Sequence, residues 1–321
     1  MKAITCHRHG GPEFLQYEEI ATPVPADNEV LLRVRAAALN PLDWRLMRAP
    51  AILTKLVGFS TFRGFSVPGV DVAGVVESVG NAVSPFRPGD EVFGAGRGTC
   101  AEFARVLEAK LARKPGDLSF EHAASIPIGG LTALQGLRDH AAVQPGQKLL
   151  INGAAGGVGV FAVQLGRWLG AEVTAVCSTR NVDLVRSLGA HHAVDYTRDD
   201  FTRLPERYDV IFDAIANHSF GELRRVLTPK GILIAIAPRK GFVPMIAGMV
   251  TIKVAPRFVS QKAKFFSAKA RSADLQLLGD LMAGGKIAAV IDRTVPLAET
   301  ADAMRSLEEG HARGKIVVAV A

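Results

Sequence analysis

The chain has 321 residues, 48% of them hydrophobic, with 32 glycines, which exceeds one ordinary core and points to two domains of α/β type. Its formal charge of +7 is carried by dispersed lysines and arginines, with no basic helix interleaved with aromatics, so nucleic acid is not the expected partner and basic stretches such as 257–269 read as solvated helix faces. The longest apolar stretch, 242–250, is too short to span a bilayer, and Cys6, Cys100 and Cys177 are too scattered for a disulfide framework or metal-ligand spacing, so a reducing cytoplasm is the expected home.

The segment Met1-Lys2-Ala3-Ile4-Thr5-Cys6 runs directly into a strand-like pattern and has no signal-peptide anatomy. Val30, Leu32, Val34 and Ala36 alternate with Leu31, Arg33 and Arg35, as in a half-buried strand. Residues 72–79 predict another strand, with a turn at Gly80-Asn81. Pro85, Pro88, Gly89 and Asp90 then punctuate the chain before a short strand at Glu91-Val92-Phe93. From His122 onward the texture changes to alternating helices and strands. Lys148-Leu149-Leu150-Ile151 reads as a buried strand, and Asn152-Gly153-Ala154-Ala155-Gly156-Gly157-Val158-Gly159 as a glycine-rich turn. Val158, Phe161, Ala162, Leu165, Trp168 and Leu169 then recur at helical spacing until Gly170, and a second strand occupies 172–177.

Such a strand–turn–helix–strand unit lets backbone N–H groups approach a pyrophosphate at the positive end of the helix, which predicts a bound dinucleotide. The alternative is a turn whose glycines serve only tight helix–strand packing. No Gly-Lys-Ser/Thr follows, which argues against a nucleoside-triphosphate loop. Strands at 193–195, 210–213 and 232–236, with helices between most of them, predict a parallel, doubly wound sheet. The tail from Ser272 gives a helix, a strand at 289–295, a helix at 297–309 and a last strand at 315–320.

With its glycine turn near the middle, this layout resembles the medium-chain dehydrogenase/reductase superfamily over nearly the whole chain. The resemblance rests on Asn40-Pro41-Leu42-Asp43, Pro68-Gly69-Val70-Asp71-Val72-Ala73-Gly74-Val75-Val76, Arg87-Pro88-Gly89-Asp90-Glu91-Val92, Gly129-Gly130-Leu131-Thr132-Ala133, the glycine turn, and the tail Gly310-His311-Ala312-Arg313-Gly314-Lys315-Ile316-Val317. Within the superfamily the chain looks most like the zinc-free quinone oxidoreductase branch, including the reticulon-4-interacting-protein-like reductases. That implies a GroES-like, β-rich substrate domain plus a doubly wound Rossmann domain, an active site in the cleft between them, and a homodimer. The expected boundaries are 1–122 for the first domain, 123–266 for the Rossmann domain and 267–321 for a return to the first.

Zinc-dependent relatives carry a His-Glu pair after the glycine matching Gly69, where this chain has Val70-Asp71, and valine cannot ligate. The ligand cysteine before Asn40 and the four-cysteine structural lobe are also missing. Cys6, His7 and His9 are close in sequence, but neighbouring strand residues point to opposite faces, and no metal is expected.

For the dinucleotide, Ser178-Thr179-Arg180-Asn181 stand where an NAD site places a carboxylate for the ribose hydroxyls. A hydroxyl and a guanidinium suit a 2′-phosphate, so NADPH is expected, with Ala155, Gly156, Gly157, Val158 and Gly159 at the pyrophosphate and Ser178 and Arg180 at the phosphate. The resemblance adds Tyr196 and Lys315 as phosphate contacts; the plainer reading makes Arg180 a solvated loop charge and Tyr196 a packing residue.

Without a metal, a conjugated acceptor is the easier target for hydride, because charge spreads to its distant oxygen and water can supply the proton. The implied function is reduction of quinones or α,β-unsaturated carbonyls, apolar small-molecule electrophiles. Asn40 and Thr132 match family positions that meet nicotinamide or substrate. Asp43 orients the Asn40 loop or caps a helix beginning near Trp44. Trp44, Met47, Ile52, Leu53, Phe59, Phe62 and Phe65 suit a substrate wall or an ordinary core, and Cys100 reads as a buried small hydrophobe. The loop 214–217 lacks the frequent double glycine, and the strand end 235–238 lacks a frequent glycine. Two rivals are an enoyl-thioester reductase, whose proton-donating tyrosine is missing here, and a non-catalytic NADPH-binding protein that regulates a partner or touches RNA.

Overall fold

The computed structural model describes residues 1–8, 10–48, 67–237, 259–310 and 312–320. His9, His311 and the apolar positions Ile52, Leu53, Phe59, Phe62 and Phe65, together with the stretch 242–250, lie outside the described residues.

The chain forms two compact units, one of 1–128, 270–284 and 289–321, the other of 129–269 and 285–288. In chain order the first unit begins with β1 (Lys2–Cys6), β2 (Leu15–Glu19), β3 (Glu29–Leu39) and α1 (Pro41–Arg48). It continues with β4 (Asp71–Val79), β5 (Glu91–Ala95), β6 (Phe103–Leu107), β7 (Leu111–Arg113) and α2 (Phe120–Ser125). Helix α3 (Pro127–Leu134) runs into a π-helical stretch at Gln135–His140. The second unit then builds β8 (Lys148–Asn152), α4 (Gly159–Trp168), β9 (Glu172–Cys177), α5 (Val182–Ser187), β10 (His192–Asp195), β11 (Tyr208–Asp213), α6 (Phe220–Arg225), β12 (Leu227–Ala235) and β13 (Lys262–Phe265). The tail supplies α7 (Ser272–Ala283), β14 (Ile291–Pro296), α8 (Thr300–Glu309) and β15 (Lys315–Ala319).

The first unit is a β-rich body. Its seven-stranded sheet has the order β14-β15-β3-β4-β5-β7, with β6 also paired to β3. Alternation on β3 buries Val30, Leu32 and Val34 against Val72, Val76, Ile316 and Val318, and turns Arg33 and Arg35 outward. The final strand thus sits inside the sheet, beside β3, rather than at its edge. The unit extends to Ile128 instead of ending at 122, because α2 packs on β3, β4 and β15.

The second unit is a six-stranded parallel sheet of order β10-β9-β8-β11-β12-β13, the doubly wound arrangement, whose strand order reverses between β8 and β11. Continuous runs such as Leu149-Leu150-Ile151 and Val210-Ile211-Phe212 are buried, as strands covered on both faces must be. Residues 285–288 join this unit through Gln164, whose amide donates to Ala288 O at 3.0 Å and accepts from Ala288 N at 2.6 Å.

Three local expectations change. Helix α1 starts at Pro41, not near Trp44, since proline's fixed φ suits the first helical position. Trp168 is 41% exposed, so the buried stripe of α4 ends before it. Lys262–Phe265, within the stretch read as a helix face, is a sheet-edge strand with mostly exposed side chains, and edge lysines of this kind oppose further strand pairing.

Candidate active site

The glycine turn follows β8 at the point where the strand order reverses. Gly159, the first residue of α4, lets the helix press against the turn: a Cβ there would lie 2.1 Å from Gly153 O and 2.7 Å from Ala154 Cα. Gly156 is different, since a Cβ would meet only Gly153 O at 3.5 Å, an ordinary contact. The fold therefore needs glycine at 159 but leaves space above 156. Val158 provides no side-chain cap for α4, whose N-terminus borders this space, and Val160 N–H donates to Gly156 O at 3.0 Å. Ala155 is buried, and Gly156, Gly157 and Val158 are half-buried. Gly129 on α3 packs on the same turn, where a Cβ would lie 2.5 Å from Gly157 O. Thr132, half-buried, is one helical turn further along α3.

At the neighbouring edge, β9 and β10 pair Cys177 with Asp195, which brings Ser178 and Arg180 to the side of Tyr196. Tyr196 is 62% exposed and anchored by its N–H to Cys177 O at 3.0 Å. Ser178 Oγ accepts from Asn181 Nδ2 at 3.1 Å, whereas the buried Asn181 Oδ1 has no partner. Asp195, not singled out from the sequence, accepts the hydroxyls of Thr179 at 2.5 Å and Thr197 at 2.8 Å, which hold its carboxyl below the usual range. It tethers the Ser178–Arg180 turn to the end of β10.

A second network missed in the sequence lies at the ends of β8 and β11. Asn152 Nδ2 donates to Asp213 Oδ1 and to Asn217 Oδ1, both at 2.9 Å, and Asp213 Oδ1 also accepts the N–H groups of Ile215 and Ala216. These bonds hold Ala216 at φ 61°, a conformation that costs a non-glycine residue energy. The signal was a polar residue ending each of two adjacent strands.

In the first unit, the end of β3 is flanked by the starts of β4 and β15: Ala38 pairs with Asp71, and Leu39 with Ile316. Asn40, one residue beyond β3, is thereby enclosed by Asp71 and Lys315, and all three side chains are buried. Lys315 Nζ donates to Asn40 Oδ1 at 2.5 Å and to Asp71 Oδ2 at 2.9 Å. Asn40 Nδ2 donates to Asp71 Oδ2 at 2.9 Å and Ala38 O at 3.2 Å, and Asp71 Oδ1 accepts Ile128 N at 2.9 Å. Asp43 reaches back from the first turn of α1 to accept Asn40 N at 2.7 Å, half of a capping box. Burial pushes the Asp43 carboxyl up to about 7, with the charge of Asp71 adding to the rise and hydrogen bonds from Asn40 and Gly69 opposing it. Burial also raises Asp71, against the pull of Lys315 and Asn40. Cys100 is fully buried, and burial together with Asp43 lifts its thiol far from reactivity.

The structure therefore groups Ser178, Arg180 and Tyr196 at one sheet edge and places Ala155 to Gly159 on the adjoining turn. Lys315 belongs to the first unit, is 2% exposed, and already neutralises Asp71. Lys315, expected at the cofactor phosphate, is held here in a buried ion pair with Asp71. Asn40 likewise differs from a free polar contact, because both of its N–H groups are committed to protein acceptors.

Comparisons with known proteins agree with this architecture. Residues 26–144 match the alcohol dehydrogenase GroES-like domain, and residues 188–318 a family described as zinc-binding dehydrogenase. The chain is 33% identical to a chloroplast envelope quinone oxidoreductase homolog of Arabidopsis thaliana, over 96% of this chain and 95% of that one. It is 34% identical to an Arabidopsis thaliana NADPH-dependent alkenal/one oxidoreductase, over 99% of this chain and 79% of the relative. The solved quinone oxidoreductase of Coxiella burnetii superposes with a TM-score of 0.88 at 30% identity, covering 100% of this chain and 99% of that one.

Proposed function

Because the chain belongs to the medium-chain dehydrogenase/reductase superfamily, in its quinone-oxidoreductase-like branch, we propose that it is a zinc-independent, NADPH-dependent reductase of quinones and α,β-unsaturated carbonyls. The observation that carries this reading is the meeting of an uncapped, open glycine turn with a sheet edge bearing Ser178, Arg180 and Tyr196.

These residues fit NADPH. The space above Gly156 at the N-terminus of α4 suits the pyrophosphate, and Ser178, Arg180 and Tyr196 suit the 2′-phosphate. Bound NADPH supplies a hydride. A conjugated acceptor spreads the resulting negative charge to its own oxygen, so the protein's part is to orient the reactants and exclude water. We assign substrate-facing roles to Thr132 and to Asn40, whose Oδ1 keeps one lone pair beyond the bond from Lys315 and can accept from water or a product hydroxyl.

A zinc ion does not suit this donor set. Val70 has no ligating atom, and the oxygens of Asp71 are occupied by Lys315, Asn40 and Ile128 N. Among the described residues no three His, Cys, Asp or Glu side chains converge. No described helix is long and apolar enough to cross a membrane. Three free, buried cysteines favour a reducing compartment, for which we propose the cytoplasm, and family resemblance favours a homodimer.

The test is NADPH oxidation with a panel of quinones and alkenals, repeated with NADH. Turnover with a higher kcat/KM for NADPH is expected. Equal kcat/KM for the two cofactors would sink the NADPH assignment, and tight NADPH binding without turnover on any acceptor would sink the reductase reading.

A further inference from the structure

The amide of Asn40 has only one orientation open to it. Lys315 offers donors alone, while Ala38 O and an ionised Asp71 offer acceptors alone, so Oδ1 must face Lys315 and Nδ2 must face the other two. A flipped amide would set N–H against ammonium and carbonyl against carboxylate, all out of contact with water. The donors of Asn40 are thus withheld from any ligand, and its remaining hydrogen-bonding capacity is that of an acceptor.

We propose that Lys315 and Asp71 are positioning residues for the reductase, a buried ion pair that locks Asn40 with its oxygen as the one group it can offer a reactant. The assignment rests on the proposed reductase function. An acceptor cannot polarise the oxygen of a quinone or enone. It can hold a water by accepting one O–H, so that the other O–H passes its proton to the reduced product and the hydroxide left is reprotonated by bulk water. The hydride and proton together account for the two-electron reduction, and no bond to Lys315, Asp71 or Asn40 forms or breaks. The ion pair is needed because Asn40 alone, at the end of β3, could rotate its amide about χ2.

The variants are Asn40→Ala, which leaves the ion pair in place, and the double variant Lys315→Met with Asp71→Asn, which removes both charges at similar volume. In each, kcat for the acceptor panel is expected to fall about ten-fold or more while the Kd for NADPH stays within about two-fold. Adding the double change to Asn40→Ala should lower kcat by less than about two-fold, because residues acting through one group are not additive. If the double variant does not fold, exchange of the Asn40 side-chain amide protons in the wild-type protein carries the test. Protection of both protons is expected, and rapid exchange of either with solvent overturns the proposal. It is equally overturned if Asn40→Ala or the folded double variant keeps wild-type kcat, or if the double variant instead loses NADPH affinity alone. Wild-type protein inactive on every acceptor would defeat the reductase reading and this assignment together; activity kept by the variants defeats this assignment alone.

Discussion

Lys315 Nζ lies 2.9 Å from Asp71 Oδ2, and the two side chains are 2% and 0% exposed. Removing one member of such a pair leaves an uncompensated buried charge, the costly case, whereas removing both does not. Lys315→Met alone is therefore expected to lower unfolding stability by about 3–5 kcal/mol, and adding Asp71→Asn to recover most of the loss. Denaturant titrations of the two proteins check this; equal stability of single and double variants would contradict the pairing. If Lys315 bound the cofactor phosphate instead, Lys315→Met would change the ratio of NADPH to NADH affinity, and no such change is expected.

Asp43 predicts a pH dependence of stability. Its carboxyl is raised to about 7 in the folded protein, so the folded state favours the protonated form. The contribution is complete below the unfolded carboxylate range and is lost as pH rises through about 7. Between about pH 5 and pH 8 the wild-type protein should lose on the order of 2–4 kcal/mol from this group, and Asp43→Asn should flatten the profile in that window. A wild-type and variant profile of the same slope would place the carboxyl outside this range.

Arg180 and Ser178 should separate the two cofactors. A guanidinium bonded to a phosphate contributes a charge-assisted hydrogen bond, so Arg180→Ala is expected to weaken NADPH binding about 10- to 100-fold and leave NADH within about two-fold. Ser178→Ala should act in the same direction with a smaller effect. Fluorescence titration with each cofactor measures both, and parallel losses for NADPH and NADH would place Arg180 away from the 2′-phosphate.

Two glycines of one turn should respond differently. Gly159→Ala forces a methyl group to 2.1 Å from Gly153 O, so it should destabilise the protein by about 1–3 kcal/mol. Gly156→Ala meets that oxygen at 3.5 Å and should fold like the wild type, yet lose NADPH affinity by more than about ten-fold because its methyl group occupies the phosphate space. Melting temperature and Kd measured on both variants decide the matter.

The Rossmann unit was legible because its signals are local. Leu149-Leu150-Ile151, the glycine turn and the helical spacing of Phe161, Ala162 and Leu165 each declare themselves within a few residues. Asn40 and Thr132 were reached only through the family resemblance. The role of Lys315 was not legible, since its partner Asp71 is 244 positions away and the two meet only through the register of β15, β3 and β4. Asp195 and the Asn152–Asp213 pair were missed for the same reason: each stands at a strand end whose neighbour is set by sheet order, not by sequence proximity. The start of α1 differs from the sequence expectation because Trp44 marks its apolar face, whereas Pro41 marks its beginning.

The placement of β15 beside β3 also governs how the protein is made. At about 5–20 residues per second, the 244 positions separating Lys315 from Asp71 take a ribosome roughly 12–50 s to synthesise. During that interval Asp71 has no cation and the 36–39 half of β3, which β6 does not reach, has no partner on one side, while the Rossmann unit emerges. The first unit to begin translation is thus the last to close, and a nascent chain cut short before β15 exposes an open sheet edge for chaperones to cover or proteases to find.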